Sequence, residues 1–134
     1  NLGVKVELNT VGDYQMLANE RDNKNYDIFV GGWFSDYNDP LDFLNIMKTG
    51  VYDSYGLYSN SEYDSLIDSL TGENDNAKRL EIYQKLEDLL VAQDCGVAPL
   101  YYSDKHYYYQ NWVKDFYTSS FGASQELYRA SVQK

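Results

Sequence analysis

The sequence predicts an α/β fold in which a small, mostly parallel sheet is flanked by helices. Residues 4–30 show strand, helix and strand patterns in succession, and such units favour parallel strands joined by a right-handed crossover. Residues 61–92 carry apolar residues at helical spacing, and residues 97–110 contain two further strand candidates. A chain of 134 residues is long enough for one domain with a core of its own.

The first predicted unit is built from the alternation of apolar and polar residues over 4–11, which is typical of a strand. Asp13 is available as the N-cap of a helix that runs to about residue 23. Its predicted apolar face carries Tyr14, Leu17 and Ala18. Residues 26–30 form a short, mostly apolar strand that leads into Gly31 and Gly32.

A polar loop over residues 36–40 separates this unit from the next predicted helix. Asp39 suits the N-cap of that helix and Pro40 its first turn, and Gly50 marks its end. The apolar residues of this helix are Leu41, Phe43, Leu44 and Met47. A tyrosine-rich loop without periodicity follows over residues 51–60.

Two more helices are predicted in the second half of the chain. Ser61 and Asp64 form a capping-box pattern at the start of a helix over 61–70, and Asp75 caps a longer helix to about Ala92. The inward stripe of the longer helix is Leu80, Tyr83, Leu86 and Leu90. Cys95 and Gly96 end it, and we expect Cys95 to be a small buried apolar residue.

The rest of the chain is predicted as two strands and a weakly patterned tail. The strand candidates are 97–102 and 105–110, and residues 112–134 are expected to wrap the surface. His106 is expected on the surface or in a strand.

Composition excludes several classes of function. Lys plus Arg is 11 and Asp plus Glu is 21, so the formal net charge is −10, which repels nucleic acid and anionic membrane surfaces. Cys95 is the single cysteine, which excludes an internal disulfide and a cysteine-based zinc finger. A histidine-based metal site or catalytic triad would depend on His106 alone. We expect no cofactor and no metal.

The segment from Gly31 to Pro40 is the strongest candidate for a binding site. Two glycines at the end of a strand allow another backbone to come close, and Trp33 is able to wall an apolar pocket. Asp36 adds a negative charge at the carboxyl end of a strand, where α/β sheets bind ligands. A strand, a turn and a helix cap without any binding function would give the same pattern.

Parts of the sequence also suggest three other functions. Asp36 and Asp39 are acids that a hydrolase would use as a pair, but no nucleophile partner is evident. A calcium loop of the EF-hand type needs Gly and Glu where Leu41 and Met47 stand. The 15 tyrosines suit a carbohydrate-binding module that stacks on sugar rings, which is the alternative function.

Four motifs, in order and over roughly residues 2–117, give the chain a family resemblance. They are Tyr26-Asp27-Ile28 with Gly32-Trp33, Asp36-Tyr37-Asn38-Asp39-Pro40 and Phe43-Leu44; Tyr58 to Ile67; Ala77 to Tyr83; and Ala98-Pro99-Leu100-Tyr101-Tyr102. With these motifs the chain resembles the solute-binding proteins of oligopeptide ABC importers, extracellular solute-binding protein family 5.

The resemblance implies a lobe of the type II periplasmic-binding-protein-like fold and a non-catalytic function. Proteins of this family close their two lobes on an extended peptide and deliver it to a membrane ABC permease. By resemblance, Asp36 pairs with the α-amino group of the peptide, the backbone of Gly32, Trp33 and Phe34 binds the peptide main chain, and Trp33 lines a side-chain pocket. The location implied is extracytoplasmic, either periplasmic or as a lipoprotein anchored at the cell surface.

The resemblance also predicts the domain organisation. Residues 1–134 are expected to be a single partial domain, a fragment of the C-terminal lobe truncated at its N-terminal side. Exposed sheet edge or core surface would then favour a dimer of the fragment.

Overall fold

The computed structural model describes residues 3–51, 57–119, 121 and 127–133. The chain divides into two compact units, Asn1–Val30 and Gly31–Lys134. Most of the predicted loop over 51–60 lies outside the described residues, as does part of the predicted tail.

The first unit contains helix α1, Tyr14–Asp22. The side chain of Asp13 accepts a hydrogen bond from the backbone N–H of Met16 at 2.8 Å, so the predicted N-cap is confirmed. The predicted apolar face is wrong for Tyr14, which is exposed, and the buried residue of α1 is Arg21.

The strands predicted on either side of α1 are wrong. Residues 4–11 and 26–30 have no regular secondary structure, although their sequence alternates or is apolar. Val4, Val6, Leu8 and Ile28 are 71–84% exposed. A strand needs a neighbour that completes its hydrogen bonds, and these segments have none among the described residues.

The described residues of the second unit form three α-helices and one π-helix. They are α2, Leu41–Asn45; α3, Ser61–Ser69; α4, Asn76–Glu87; and the π-helix, Asp88–Gln93, which follows α4 directly. The predicted helix from Asp75 to about Ala92 is therefore confirmed in extent. Asp75 caps it by accepting a hydrogen bond from the N–H of Ala77 at 2.9 Å.

The N-cap of α3 is Asn60 rather than the predicted pair of Ser61 and Asp64. Oδ1 of Asn60 accepts hydrogen bonds from the N–H groups of Glu62 at 2.8 Å and Tyr63 at 3.1 Å. Since Asn60 already satisfies these free donors, Ser61 becomes the first helical residue. Asp64 instead accepts a hydrogen bond from the N–H of Thr49.

The core of the second unit is formed where these helices meet. Its buried apolar residues are Leu44, Met47, Tyr63, Ile67, Leu70, Tyr83, Leu86, Leu89 and Leu90. Tyr63 is fully buried, and its hydroxyl donates a hydrogen bond to the carbonyl of Leu44 at 2.8 Å, which joins α3 to α2.

Leu80 was predicted in the inward stripe of α4, and this is wrong because its side chain is 57% exposed. Arg79 and Tyr83, four residues apart, occupy that face of α4 and bond to each other there. The residue after Arg79 points about 100° away around the helix, which directs Leu80 to the surface.

The sheet differs from the predicted one. Among the described residues it consists of β1, Val113–Lys114, and β2, Ser131–Val132, which pair antiparallel with Val113 opposite Val132. The predicted mostly parallel sheet is therefore not found there, and 97–102 and 105–110 are not strands. Both observed strands lie in the tail, where the sequence pattern was weak.

A tight corner ends the π-helix. Asp94 accepts hydrogen bonds from the hydroxyl of Tyr58 at 2.6 Å and from the side-chain N–H of Asn60 at 2.7 Å. Burial, followed by this hydrogen bond to Asp94, raises the pKa of Tyr58 to about 12. A Cβ at Gly96 would lie 2.7 Å from the Tyr58 ring, so the corner requires glycine.

Cys95 was predicted to be buried, and this is wrong. It lies at the corner with a positive φ of 51° and is exposed, because the chain turns out of the helix at this residue. His106 is exposed, as expected.

Within the part of the chain that the structure describes, no helix is both long enough and apolar enough to cross a membrane.

A matched pair of substitutions on one helix tests the core. Leu86 is fully buried and Leu80 is exposed, so Leu86→Ala should lower the free energy of unfolding by about 2–5 kcal/mol. Leu80→Ala should change it by less than about 0.5 kcal/mol, since an exposed site leaves no cavity. Denaturant unfolding of both variants measures the difference. Equal losses would contradict the described packing of α4.

Candidate functional site

The predicted binding segment, residues 31–36, is held by a buried carboxylate in the first turn of α2. Asp42 is 6% exposed. Its Oδ2 accepts a hydrogen bond from the indole Nε1–H of Trp33 at 3.1 Å and another from the backbone N–H of Asp36 at 2.9 Å. One oxygen atom therefore fixes both the ring of Trp33 and the main chain at Asp36.

A second acid connects the end of the loop to α4. Oδ2 of Asp39 lies 2.7 Å from Nη2 of Arg79, and the hydroxyl of Tyr83 donates a hydrogen bond to Oδ1 of Asp39 at 2.6 Å. Arg79 also donates to the hydroxyl of Tyr83. Oδ1 of Asp39 accepts from the N–H of Leu41 at 2.8 Å, so Asp39 serves the start of α2 as predicted, although Pro40 is the N-cap residue.

These contacts shift the acidity of both partners. Burial alone would raise the pKa of Asp39, but the hydrogen bonds from Tyr83 and Leu41 and the charge of Arg79 outweigh it and lower that pKa. Burial, and then the hydrogen bond to Asp39, raises the pKa of Tyr83 to about 12. Asp39 is thus held as a carboxylate, and Tyr83 as a neutral hydroxyl that donates to it.

The remaining predicted site residues are accessible. Gly32 and Asp36 are exposed, and Trp33 is half-buried. Among the described residues, no hydrogen bond or ion pair engages the side-chain carboxylate of Asp36. Phe34 is 65% exposed, and the Lys105 ammonium lies 4.8 Å from the centre of its ring.

The sequence pattern does not reveal the residues that support this segment. By pattern, Asp42 is only a helix residue, and nothing in the spacing connects Arg79, Tyr83 or Lys105 to the loop. For Asp42 and Arg79 the available signal was a charged residue on or beside an apolar helix face. A buried charge needs a partner, but the sequence does not say which one.

The geometry does not favour the catalytic alternative. A general acid in a hydrolase needs a raised pKa, whereas the pKa of Asp39 is lowered and its carboxylate is bound to Arg79 and Tyr83. Within the described ranges, no group of three or more His, Cys, Asp or Glu side chains is arranged to hold a metal ion.

Concave surfaces of the chain lie at other residues. One groove is lined by residues 109, 111 and 113–117, and another by residues 8–14, 17 and 30. Neither of these two grooves is lined by residues 31–36.

Comparisons with known proteins bear on the class of this chain. No protein-family model matches it. The oligopeptide-binding protein OppA of Bacillus subtilis is 32% identical over 117 residues, which are 86% of this chain and 20% of that protein. The periplasmic oligopeptide-binding protein OppA of Salmonella typhimurium is 31% identical over 113 residues, 84% of this chain and 20% of that protein.

A solved structure gives the same result for the fold. The substrate-binding domain of an oligopeptide ABC transporter from Bacillus anthracis superposes with a TM-score of 0.80 at 28% identity, and the match covers 93% of this chain and 24% of that one. This chain therefore has the fold of part of an ABC-transporter substrate-binding protein.

More particularly, the chain is a relative of the oligopeptide-binding proteins of ABC importers, and the resemblance found in the sequence is confirmed. It spans about a fifth of the length of the curated relatives it matches. The comparisons give no support to the tyrosine-rich carbohydrate-binding module.

The contacts of Asp39 predict a dependence of stability on pH. Because its pKa is lower in the folded chain than the ordinary aspartate value of 3.8, Asp39 adds stability above that pH and loses it as the pH falls through the folded pKa. Asp39→Asn should therefore be less stable than wild type near neutral pH, and the difference should shrink in acid. Unfolding measured from neutral to acidic pH tests this.

Glu81→Gln is the matched control, since Glu81 is an exposed acid on the same helix as Arg79 and Tyr83. Exposed charges contribute little stability, so this variant should follow wild type at every pH. A constant gap between Asp39→Asn and wild type down to the most acidic pH would contradict the ion pair.

Proposed function

We propose that the protein carrying this chain captures oligopeptides outside the cytoplasmic membrane, without catalysis, and delivers them to the permease of an ABC importer. The relatedness to oligopeptide-binding proteins supports the class of ligand. The single observation that carries the site is the exposed carboxylate of Asp36, which extends from a main chain that Asp42 holds in place.

In this proposal, Asp36 binds the α-ammonium group of the peptide. An ammonium taken out of water needs a carboxylate partner, and charge-assisted hydrogen bonds are the stronger kind. The Asp36 carboxylate is exposed and has no competing ion pair among the described residues, so it is available for such a partner.

The surrounding charge favours the same ligand group. After burial, the nearby charges of Asp42, Asp39 and Asp36 raise the pKa of Tyr37, which lies among them. Arg79 compensates Asp39, whereas Asp36 and Asp42 have no ion pair among the described residues, so these two acids contribute uncompensated negative charge. A cationic amino terminus is attracted to that charge, and a peptide carboxylate is repelled from it.

The backbone of Gly32, Trp33 and Phe34 binds the peptide main chain in the manner of an added strand. A Cβ built at Gly32 meets nothing within 4 Å, so the protein's own packing leaves this side of the chain open. Main-chain pairing does not depend on the side chains of the ligand, which suits a receptor for many peptide sequences. The half-buried ring of Trp33 lines a side-chain pocket.

The whole protein is proposed to be extracytoplasmic, either periplasmic or a lipid-anchored lipoprotein. The Salmonella typhimurium relative is named as periplasmic, which supports the periplasmic location. Residues 1–134 are proposed to be part of a C-terminal lobe of the type II fold, with a second lobe that covers the open segment. The chain matches about a quarter of the solved Bacillus anthracis protein, which is consistent with part of one lobe.

Self-association of this chain also stays a proposal. Val4, Val6 and Leu8 are exposed apolar residues on one stretch without regular structure, and such a stretch is open to pairing with a second copy. Sedimentation of the isolated chain should show a dimer at high concentration. A monomer throughout would count against dimer formation and leave the peptide-binding function unaffected.

The proposed role of Asp36 is tested with two forms of the same peptide. Asp36→Asn in the whole natural protein should weaken peptides with a free amino terminus by roughly 2–5 kcal/mol, because the ammonium loses its partner in a closed site. Peptides with an acetylated amino terminus should lose much less. Calorimetric titration measures both.

Asp68→Asn, a change of an exposed acid on α3, is the control and should bind both forms like wild type. Equal losses for the free and acetylated peptides in Asp36→Asn would remove Asp36 from its assigned role.

A further inference from the structure

We propose that Asp42 is a positioning residue of the peptide site, setting the direction of the Trp33 ring and of the Asp36 main chain from a single carboxylate oxygen. This inference rests on the proposed function. Asp42 is not among the predicted site residues. It would not touch the peptide itself but would act by holding Trp33 and Asp36, which do.

Two hydrogen-bond donors converge on one oxygen atom of Asp42. The indole N–H of Trp33 and the backbone N–H of Asp36 belong to residues three apart, one on a side chain and one on the main chain. Both donate to Oδ2 of Asp42. Moving this oxygen would therefore move the proposed pocket wall and the proposed ammonium ligand together.

The hydrogen bonds to Asp42 are strong. Asp42 is buried, and hydrogen bonds from N–H groups to an ionised acceptor are roughly twice as strong as neutral ones. A buried carboxylate that lost these donors would be left with an unsatisfied charge, so the loop is strongly held in the observed geometry.

The helix that carries Asp42 is packed into the core of the unit. Asp42 lies in α2, and Leu44 of the same helix belongs to the core. The backbone carbonyl of Leu44 accepts a hydrogen bond from the buried hydroxyl of Tyr63. Sites supported from a packed helix keep their geometry better than sites supported only by a loop. Asp42 thus connects an exposed, irregular segment to the helical core of the unit.

The test compares Asp42→Ala and Asp42→Asn in the whole natural protein, titrated with short alanine-based peptides. Asp42→Ala removes the acceptor of both N–H groups. It should raise Kd by about tenfold or more for peptides with an acetylated amino terminus, since Trp33 and the main chain serve them too. Peptides with a free amino terminus should lose more, because their ammonium also loses the displaced Asp36. Asp42→Asn keeps a neutral acceptor and should fall between wild type and Asp42→Ala.

Two further measurements separate positioning from simple stability. Asp75→Ala removes the N-cap of α4 and should lower the unfolding free energy while leaving Kd within about twofold of wild type. In a double-mutant cycle, Asp36→Asn should cost less in the Asp42→Ala background, because a displaced Asp36 no longer meets the ammonium.

Each outcome decides a different question. If wild type binds peptide but Asp42→Ala binds it equally well, or if the cycle is additive, the positioning role is overturned and the proposed function stands. If wild type binds no peptide of either form, the proposed function is overturned, and the role of Asp42 with it. Should Asp42→Ala not fold, an unchanged Kd in Asp42→Asn overturns the positioning role, and a rise of about threefold supports it.

Discussion

The surface of residues 31–36 depends on the burial of one negative charge. Asp42 is removed from water and has to be compensated, and it obtains its hydrogen bonds from Trp33 and Asp36. Because those donors lie on a segment without helix or strand, the compensation of the charge also shapes the segment. The same hydrogen bonds that make the buried carboxylate tolerable therefore give an irregular stretch of chain a defined conformation.

The loop that follows is held at its other end by a different kind of contact. Asp39 is bonded to Arg79 and Tyr83, which lie one turn apart on α4, forty or more positions along the sequence. The acids at 39 and 42 thus have unlike tasks, one joining the loop to α4 and the other orienting Trp33. Asp36, three residues before Asp39, is left exposed to solvent, and this difference in environment supports its proposed role in binding a ligand.

Local chemistry predicted the helices well and the sheet badly. Asp13 and Asp75 cap α1 and α4 as expected, because a cap needs only donors a few residues away. Val4 to Val11 has the alternation of a strand but no partner among the described residues, and alternation does not supply one. The candidate binding segment is predicted from its glycines, Trp33 and Asp36, and its role stays a proposal. Asp42 and Arg79 were missed because their partners are set by tertiary packing, which neither spacing nor propensity encodes.

The corner at Cys95 has a practical consequence. The sequence has a single cysteine, and the turn at positive φ leaves its sulfur accessible to solvent. Cys95 precedes Gly96, which packs on Tyr58. It takes no part in the contacts of Asp39 or Asp42 that hold the loop. A maleimide dye or a nitroxide could therefore be attached here without introducing or removing any thiol. Such a reporter would lie at the end of the helical core, and Trp33 and Trp112 would remain as intrinsic fluorophores, the first of them at the segment itself.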